Sequence, residues 1–213
     1  MTKQKIREAK RNVVIESIID IAQTLFFSKG YEATTIDEIA AHTNLTKKTI
    51  YTYLDSKEEI YDRVAMRGYK KLHEYLLGIE NKNKDPQKEL VDFFEKAFEF
   101  AQKHAGYTQI ITQYHVRINN KILDNPSYKI INDMDNDIFN ILENVLAKGV
   151  KQGVFKNNLD IKITSAYFTS LYMGTLDMVY NKAHYLKSRK VTPKQLIAKS
   201  IELAVSSVKR DGI

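Results

Sequence analysis

The stretch Thr34–Tyr61, TTIDEIAAHTNLTKKTIYTYLDSKEEIY, decides the fold, because it sets several helix starts and one tight reversal within very few residues. Thr35 followed by Glu38 has the spacing of a reciprocal capping box, and Ile36, Ile39 and Ala40 follow at helical intervals. The spacing predicts a helix to about His42. Asn44 falls where the chain must turn, and asparagine tolerates the left-handed conformation that closes a helix. Leu45 returns to the core, and Thr46 is placed to cap a second helix through Leu54. In that helix Ile50 and Leu54 face inward, while Lys47, Lys48, Thr49, Tyr51, Thr52 and Tyr53 face solvent. Lysine and hydroxyl groups on a short helix suit phosphates and base edges, and a helix of that width enters the major groove of DNA. Ser56 and Glu59 repeat the capping-box spacing and open a third helix, with Lys57 beside the same surface. The segment reads as a helix-turn-helix.

The motifs LFFSKGYEATT over 25–35, IA at 39–40, T-x-x-T-I-Y-x-Y over 46–53 and SKEE at 56–59 resemble the DNA-binding head of the TetR family of transcriptional regulators. The resemblance covers about the first quarter of the chain, and the remainder is similar to the family only in length and helical pattern. Lys48 stands where many members carry glycine, and Asn44 replaces a common turn glycine. By geometry, Thr46, Lys47 and Lys48 are expected to point into the groove, with Thr52 a fourth reader. The resemblance implies that Thr49, Tyr51, Tyr53 and Lys57 contact the phosphate backbone, and Thr35 caps a helix whose positive end suits phosphate. It also implies a homodimer with a small-molecule site in the middle of the chain.

Composition fits an all-α protein. The 213 residues include 3 prolines, 8 glycines and no cysteine, so no disulfide framework or thiol chemistry is available. No apolar run approaches the ~20 residues of a membrane span, and the start MTKQKIREAKRN lacks the apolar segment of a secretory signal, so a cytoplasmic location without a membrane partner is expected. The net charge is +7, yet residues 1–57 hold 9 Lys/Arg against 7 Asp/Glu and contribute only +2 of it. Position matters more than the total: Lys3, Lys5, Arg7, Lys10 and Arg11 form a basic arm ahead of the first helix.

Periodicity predicts about nine helices and no strand. The first spans about 12–29, ended by Gly30. The helix-turn-helix follows, and a long connector over 56–78 carries Ile60, Val64, Tyr69, Leu72 and Leu76. Asp85-Pro86 starts a largely buried helix; later helices are expected at 107–119, 127–152, 160–183 and 192–209, with a turn at Asn125-Pro126. Residues 1–55 are therefore expected to be the DNA-binding domain and 56–213 a helical ligand-binding and dimerisation domain. In the last two long helices, Ala166, Ser170 and Gly174 form a column of small residues, and Ile197, Ile201, Ala204 and Val208 form one stripe of a broad apolar arc that also includes Leu196 and Leu203. Pairing these helices across a two-fold axis would present two recognition helices about 34 Å apart to a palindromic operator in double-stranded DNA.

The middle of the chain mixes aromatic, hydroxyl and soft apolar groups. Tyr107, Tyr114, His115, Phe139, Tyr172 and Asp177 are the candidate ligand contacts, although most aromatics there serve a core. The five histidines have no i, i+4 pair and no cysteine joins them, so no metal site is expected; no phosphate loop or nucleophile turn is present, so no cofactor or enzymatic activity is expected either. The reading is a DNA-binding regulator, a repressor released by a small apolar or amphipathic ligand. The alternatives are a DNA-binding protein without an effector and a helical adaptor for an acidic protein.

Overall fold

A computed structural model describes residues 2–80, 84–117 and 126–210; Asn125, the residues 118–119 expected to end one helix, the polar residues 81–83 and the side chain of His115 lie outside it. Ten α-helices are described: α1 Lys3–Ala33, α2 Ile36–Thr43, α3 Lys47–Tyr51, α4 Lys57–Leu76, α5 Pro86–Lys103, α6 Ala105–Arg117, α7 Pro126–Lys151, α8 Ile161–Tyr180, α9 Ala183–Ser188 and α10 Pro193–Val208. No strand occurs among the described residues; Phe155 and Lys209 make one isolated antiparallel bridge. The tenth helix arises because α8 stops at Tyr180, before the expected 183, and the chain restarts as the short α9.

The chain packs as two compact units, one formed by 1–70 with 104–133 and the other by 71–103 with 134–213. This division follows packing and differs from the functional cut expected at 55/56.

In the first unit, α1 buries Ile15, Ile18, Ile19, Ala22 and Phe26 along one face. These meet Ile36, Ile39 and Ala40 of α2, Ile50 of α3, Leu54, and Ile60, Tyr61, Val64 and Ala65 of α4 in the core. Helix α1 begins at Lys3, not near Asn12, so the basic arm is its first turns rather than a tail. Gly30, at φ 80° and ψ 172°, breaks the helix where the sequence expected it, and the Thr34 hydroxyl donates to its carbonyl at 2.8 Å. Helix α6 adds Ile110, Ile111 and Tyr114 to the same unit. Gly106 is required there, since a Cβ would lie 2.4 Å from the Phe27 ring.

The second unit centres on α5, whose Leu90, Phe93, Phe94, Ala97, Phe98, Phe100 and Ala101 are all buried. Phe94 meets Phe168 of α8 edge-on at 5.5 Å, and Phe98 lies 4.9 Å from the Tyr172 ring. Buried Glu89 is paired with Lys148 of α7 at 2.9 Å, so its charge is not left alone in the core. Asp160 caps α8 through the Ile163 amide, and Thr192 caps α10 in a complete box with Gln195. The Thr175 and Ser200 hydroxyls, 2.9 Å apart, join α8 to α10 in the interior.

Candidate nucleic-acid interface

The local sequence builds the interface. The Thr35 hydroxyl accepts from the Glu38 amide at 3.2 Å, while a Glu38 carboxylate oxygen accepts from the Thr35 amide at 2.9 Å. Lys29 pairs with the same carboxylate and, with the Thr35 amide, holds its pKa down to about 2. Asn44 closes α2 at φ 54° and ψ 29°, the left-handed geometry its side chain tolerates. Leu45 then bonds back to Ala40 by its amide at 3.1 Å. Two residues after this reversal Thr46 caps α3, accepting from the Thr49 amide at 3.0 Å.

Helix α3 is shorter than its periodicity suggested. It ends at Tyr51, and Thr52–Leu54 form a turn in which the Tyr53 and Leu54 amides both reach the Ile50 carbonyl. Ile50 and Leu54 are buried as expected, and Thr35, Thr46, Lys47, Lys48, Tyr51 and Thr52 are exposed. Thr49, Tyr53 and Lys57 are half-buried. The second expected capping box is opened out: Ser56 accepts from the Glu59 amide at 3.0 Å, but the Glu59 carboxylate takes the Asp55 amide at 2.7 Å instead of returning to Ser56.

The groups facing outward differ in freedom. Lys47 is paired with Asp37 at 3.0 Å, which raises its pKa. The Thr46 and Thr49 hydroxyls lie 2.7 Å apart, and the Thr52 hydroxyl donates to the Thr49 carbonyl at 2.7 Å. Lys48 is exposed, and no ion pair to it occurs among the described residues. The Lys57 ammonium sits 4.0 Å above the Tyr31 ring, whose hydroxyl donates to Glu58 at 2.6 Å and lowers that carboxyl's pKa. Sequence reasoning did not find Asp37, Tyr31 or Glu58 as neighbours of these cations. It placed Arg11 in the basic arm but did not find its partners, the carbonyls of Thr52 at 3.1 Å and Tyr53 at 3.0 Å.

The other candidate residues are scattered. Tyr107 and Tyr114 belong to the first unit, Phe139, Tyr172 and Asp177 to the second. The Tyr107 hydroxyl donates to Gln23 at 2.7 Å. Tyr114 is 1% exposed, and burial, together with the Asp62 carboxylate, pushes its pKa far up. The Tyr172 hydroxyl donates to the Ala97 carbonyl at 3.0 Å, and Phe139 is half-buried. Asp177 does not sit among apolar neighbours. It lies near the end of α8 with its side chain 40% exposed, paired with Lys182 at 2.6 Å and accepting from Asn181. Four positions from the last turn of a helix were enough to reach the next loop, which periodicity treated as more helix.

On α8, Ala166, Ser170 and Gly174 are exposed, next to Ile163 at 69% and Tyr167 at 57% exposure. On α10 the stripe is corrected: Ala204 and Val208 are each 1% exposed and face the chain's own core, whereas Leu203 of the neighbouring stripe is 52% exposed. Ile197 and Ile201 are half-buried between them.

An all-helical chain whose capped head exposes lysine, threonine and tyrosine on the second helix of a helix-turn-helix belongs to the class of DNA-binding transcriptional regulators. Residues 18–64 match the bacterial regulatory proteins of the tetR family, and residues 68–206 match the C-terminal region of YsiA-like proteins. The chain belongs to the TetR family. It is similar to the biofilm operon icaADBC HTH-type negative transcriptional regulator IcaR of Staphylococcus aureus (strain Newman), with 28% identity over 173 residues, 80% of this chain and 84% of that protein. A regulatory protein of the tetR family from Rhodococcus RHA1 shares the fold with TM-score 0.71 and 21% identity, over 92% of this chain and 97% of that one. The transcriptional regulator FadR of Bacillus subtilis, in complex with stearoyl-CoA, does so with TM-score 0.68 and 22% identity, over 91% and 98%.

Proposed function

We propose that this regulator is a repressor that binds a palindromic operator as a homodimer in the cytoplasm and leaves it when a small apolar or amphipathic ligand binds its helical body. The observation that carries the DNA part is the outer face of α3, where Lys47, Lys48, Tyr51 and Thr52 are exposed on a helix capped at its start and anchored by buried Ile50. In this reading Thr46, Lys47, Lys48 and Thr52 meet base edges. Thr35, Thr49, Tyr51, Tyr53 and Lys57 meet phosphates. Lys47 must exchange Asp37 for DNA, a small cost because exposed pairs are worth ~0.2–1 kcal/mol. The similar IcaR is a negative transcriptional regulator, which supports repression.

The effector is supported by the stearoyl-CoA bound in the similarly folded FadR and by the aromatic interior of this chain. A ligand favouring an arrangement of the heads that misses the groove would lower DNA affinity by that preference and no more. The effector-free reading has its own support, since the Tyr107 and Tyr172 hydroxyls are already bonded within the chain and Asp177 is at the surface. For the dimer, the supporting feature is the exposed apolar face of Ile163, Ala166, Tyr167, Ser170 and Gly174 with Leu203 of α10. Symmetric pairing of such faces would set the heads about one DNA turn apart.

The test is selection from a library of random double-stranded DNA by the full chain. An enriched inverted repeat is expected. Enrichment of no sequence would leave a nonspecific basic protein. A ligand screen by thermal shift follows, since a compound at a hundred times its Kd adds ~2.7 kcal/mol; a stabilising compound that leaves DNA affinity unchanged would favour the effector-free reading. For the dimer, nothing lies within 4 Å of a Cβ built on Gly174, so Gly174→Leu should fold normally and give monomers by light scattering at micromolar concentration. A dimer that persists would move the interface elsewhere.

A further inference from the structure

The basic amino-terminal residues read in sequence as an arm ahead of the first helix, yet one of them turns toward the protein. Arg11 lies on the continuous helix α1, one turn before the buried Ile15 and two before Ile18, so its backbone is fixed by the head's core. Its two terminal nitrogens reach the carbonyls of Thr52 and Tyr53, at 3.1 and 3.0 Å. Its guanidinium carbon stands 5.2 Å from the Tyr53 ring centroid. These carbonyls are the first beyond Tyr51, the last residue of α3.

Helix α3 needs such support. It has five residues, too few to be stable by hydrogen bonding alone, and its end carries carbonyls that no further helical turn can satisfy. The Thr49 and Ile50 carbonyls are taken by the amides of Thr52, Tyr53 and Leu54, whereas those of Thr52 and Tyr53 receive the guanidinium. A planar fork matches two neighbouring carbonyls, and a lysine ammonium cannot span them in that way.

We propose that Arg11 is a positioning residue for the recognition helix: its guanidinium clamps the turn that closes α3 and fixes the angle at which Lys47, Lys48 and Thr52 meet base edges. The proposal rests on α3 being the recognition helix. The clamp joins the start of α1 to the end of α3 across 41 residues of sequence, so the amino-terminal turns of α1 govern specificity without touching a base. Tyr53 is held by the same group, which steadies one of the phosphate contacts.

The competing role for an exposed arginine here is a direct phosphate contact, and the experiment separates the two. Full-length Arg11→Ala and Arg11→Lys are compared with Lys10→Ala, a charge control on the same helix. Amide exchange of Tyr53 and Leu54 is measured in the free protein, and binding to the selected and to scrambled DNA is measured across a salt series. Arg11 is exposed, so the variants are expected to melt with the wild type. The clamp predicts faster exchange of both amides in both Arg11 variants and unchanged exchange in Lys10→Ala. It predicts that the preference for the selected site falls by about tenfold, the worth of one good base contact, with no rescue by lysine and no change of salt slope on scrambled DNA. Unchanged exchange in Arg11→Ala overturns it. So does a loss that is equal on both DNAs, shallows the log-log slope by about one per subunit and is restored by lysine, which is the signature of a phosphate contact. If the wild type shows no preference between the two DNAs, the regulator reading fails, and the exchange data still decide whether Arg11 holds α3.

Discussion

The helix starts of the helix-turn-helix are fixed by bonds between residues three apart, whereas the body adds hydroxyl bonds that join residues far apart in sequence. In the head, Thr35 with Glu38, Thr46 with Thr49 and Ser56 with Glu59 fix three helix starts. In the body, the Tyr172 hydroxyl reaches Ala97 across 75 residues and the Tyr180 hydroxyl reaches Ala101 across 79. The lesson is where each region can be damaged: a cap lost in the head frees one helix end, whereas a misfit in the body has many partners to disturb.

The largest effect is expected in the body at Gly149, where a Cβ would stand 1.9 Å from the ring of fully buried Phe155. Gly149→Ala forces that ring to move, and overpacking of this kind costs ~1–3 kcal/mol. The melting midpoint should fall while amide exchange in α2 and α3 stays as in the wild type. Exchange that rises equally in both regions would erase the distinction between them.

Thr35→Ala should cost less, ~1 kcal/mol for a lost cap, and should show as faster exchange confined to the first turn of α2. A loss spread through the body would mean that the head's caps hold more than their own helices.

A smaller effect is expected with acid. Glu38 has its pKa depressed to about 2 by Lys29 and by the Thr35 amide. The folded state thus favours the charged carboxylate, and its contribution is present above the ordinary glutamate pKa, ~4.3, and is lost as pH falls through about 2. Protection of the α2 start should begin to decline as pH falls below about 4 and reach its floor near pH 2. Glu38→Gln should shift the decline, and a profile that it leaves unchanged would remove Glu38 from the account.

The same contrast explains what the sequence disclosed. Caps are read from residue types at fixed short offsets, so Thr35, Asn44, Thr46, Asp160 and Thr192 were all legible, as were Gly30 and the buried Ile50. The inward stripe of α10 was not: both of its stripes are apolar, and periodicity alone does not say that Ala204 and Val208 turn inward while Leu203 turns out. Arg11 stood out only as one cation of a basic arm, and its partners were not legible because they are backbone carbonyls, which every residue has. Asp177 misled because its partners, Asn181 and Lys182, follow a helix end that no proline or glycine announces.

In the proposed reading, the head's outer surface is divided between side chains that read bases and side chains that hold phosphates. Binding of Lys48→Ala and Lys57→Ala to the selected and to scrambled DNA, each across a salt series, tests this division most directly. Lys57→Ala is predicted to weaken binding to both DNAs and to shallow the log-log salt slope by about one, or about two for both subunits of a dimer. Lys48→Ala is predicted to lose ~1–3 kcal/mol on the selected site, at particular base positions, with its scrambled-DNA affinity far less affected. Two variants that lose affinity equally on both DNAs, with the same change of slope, would contradict the division and leave α3 a nonspecific basic face.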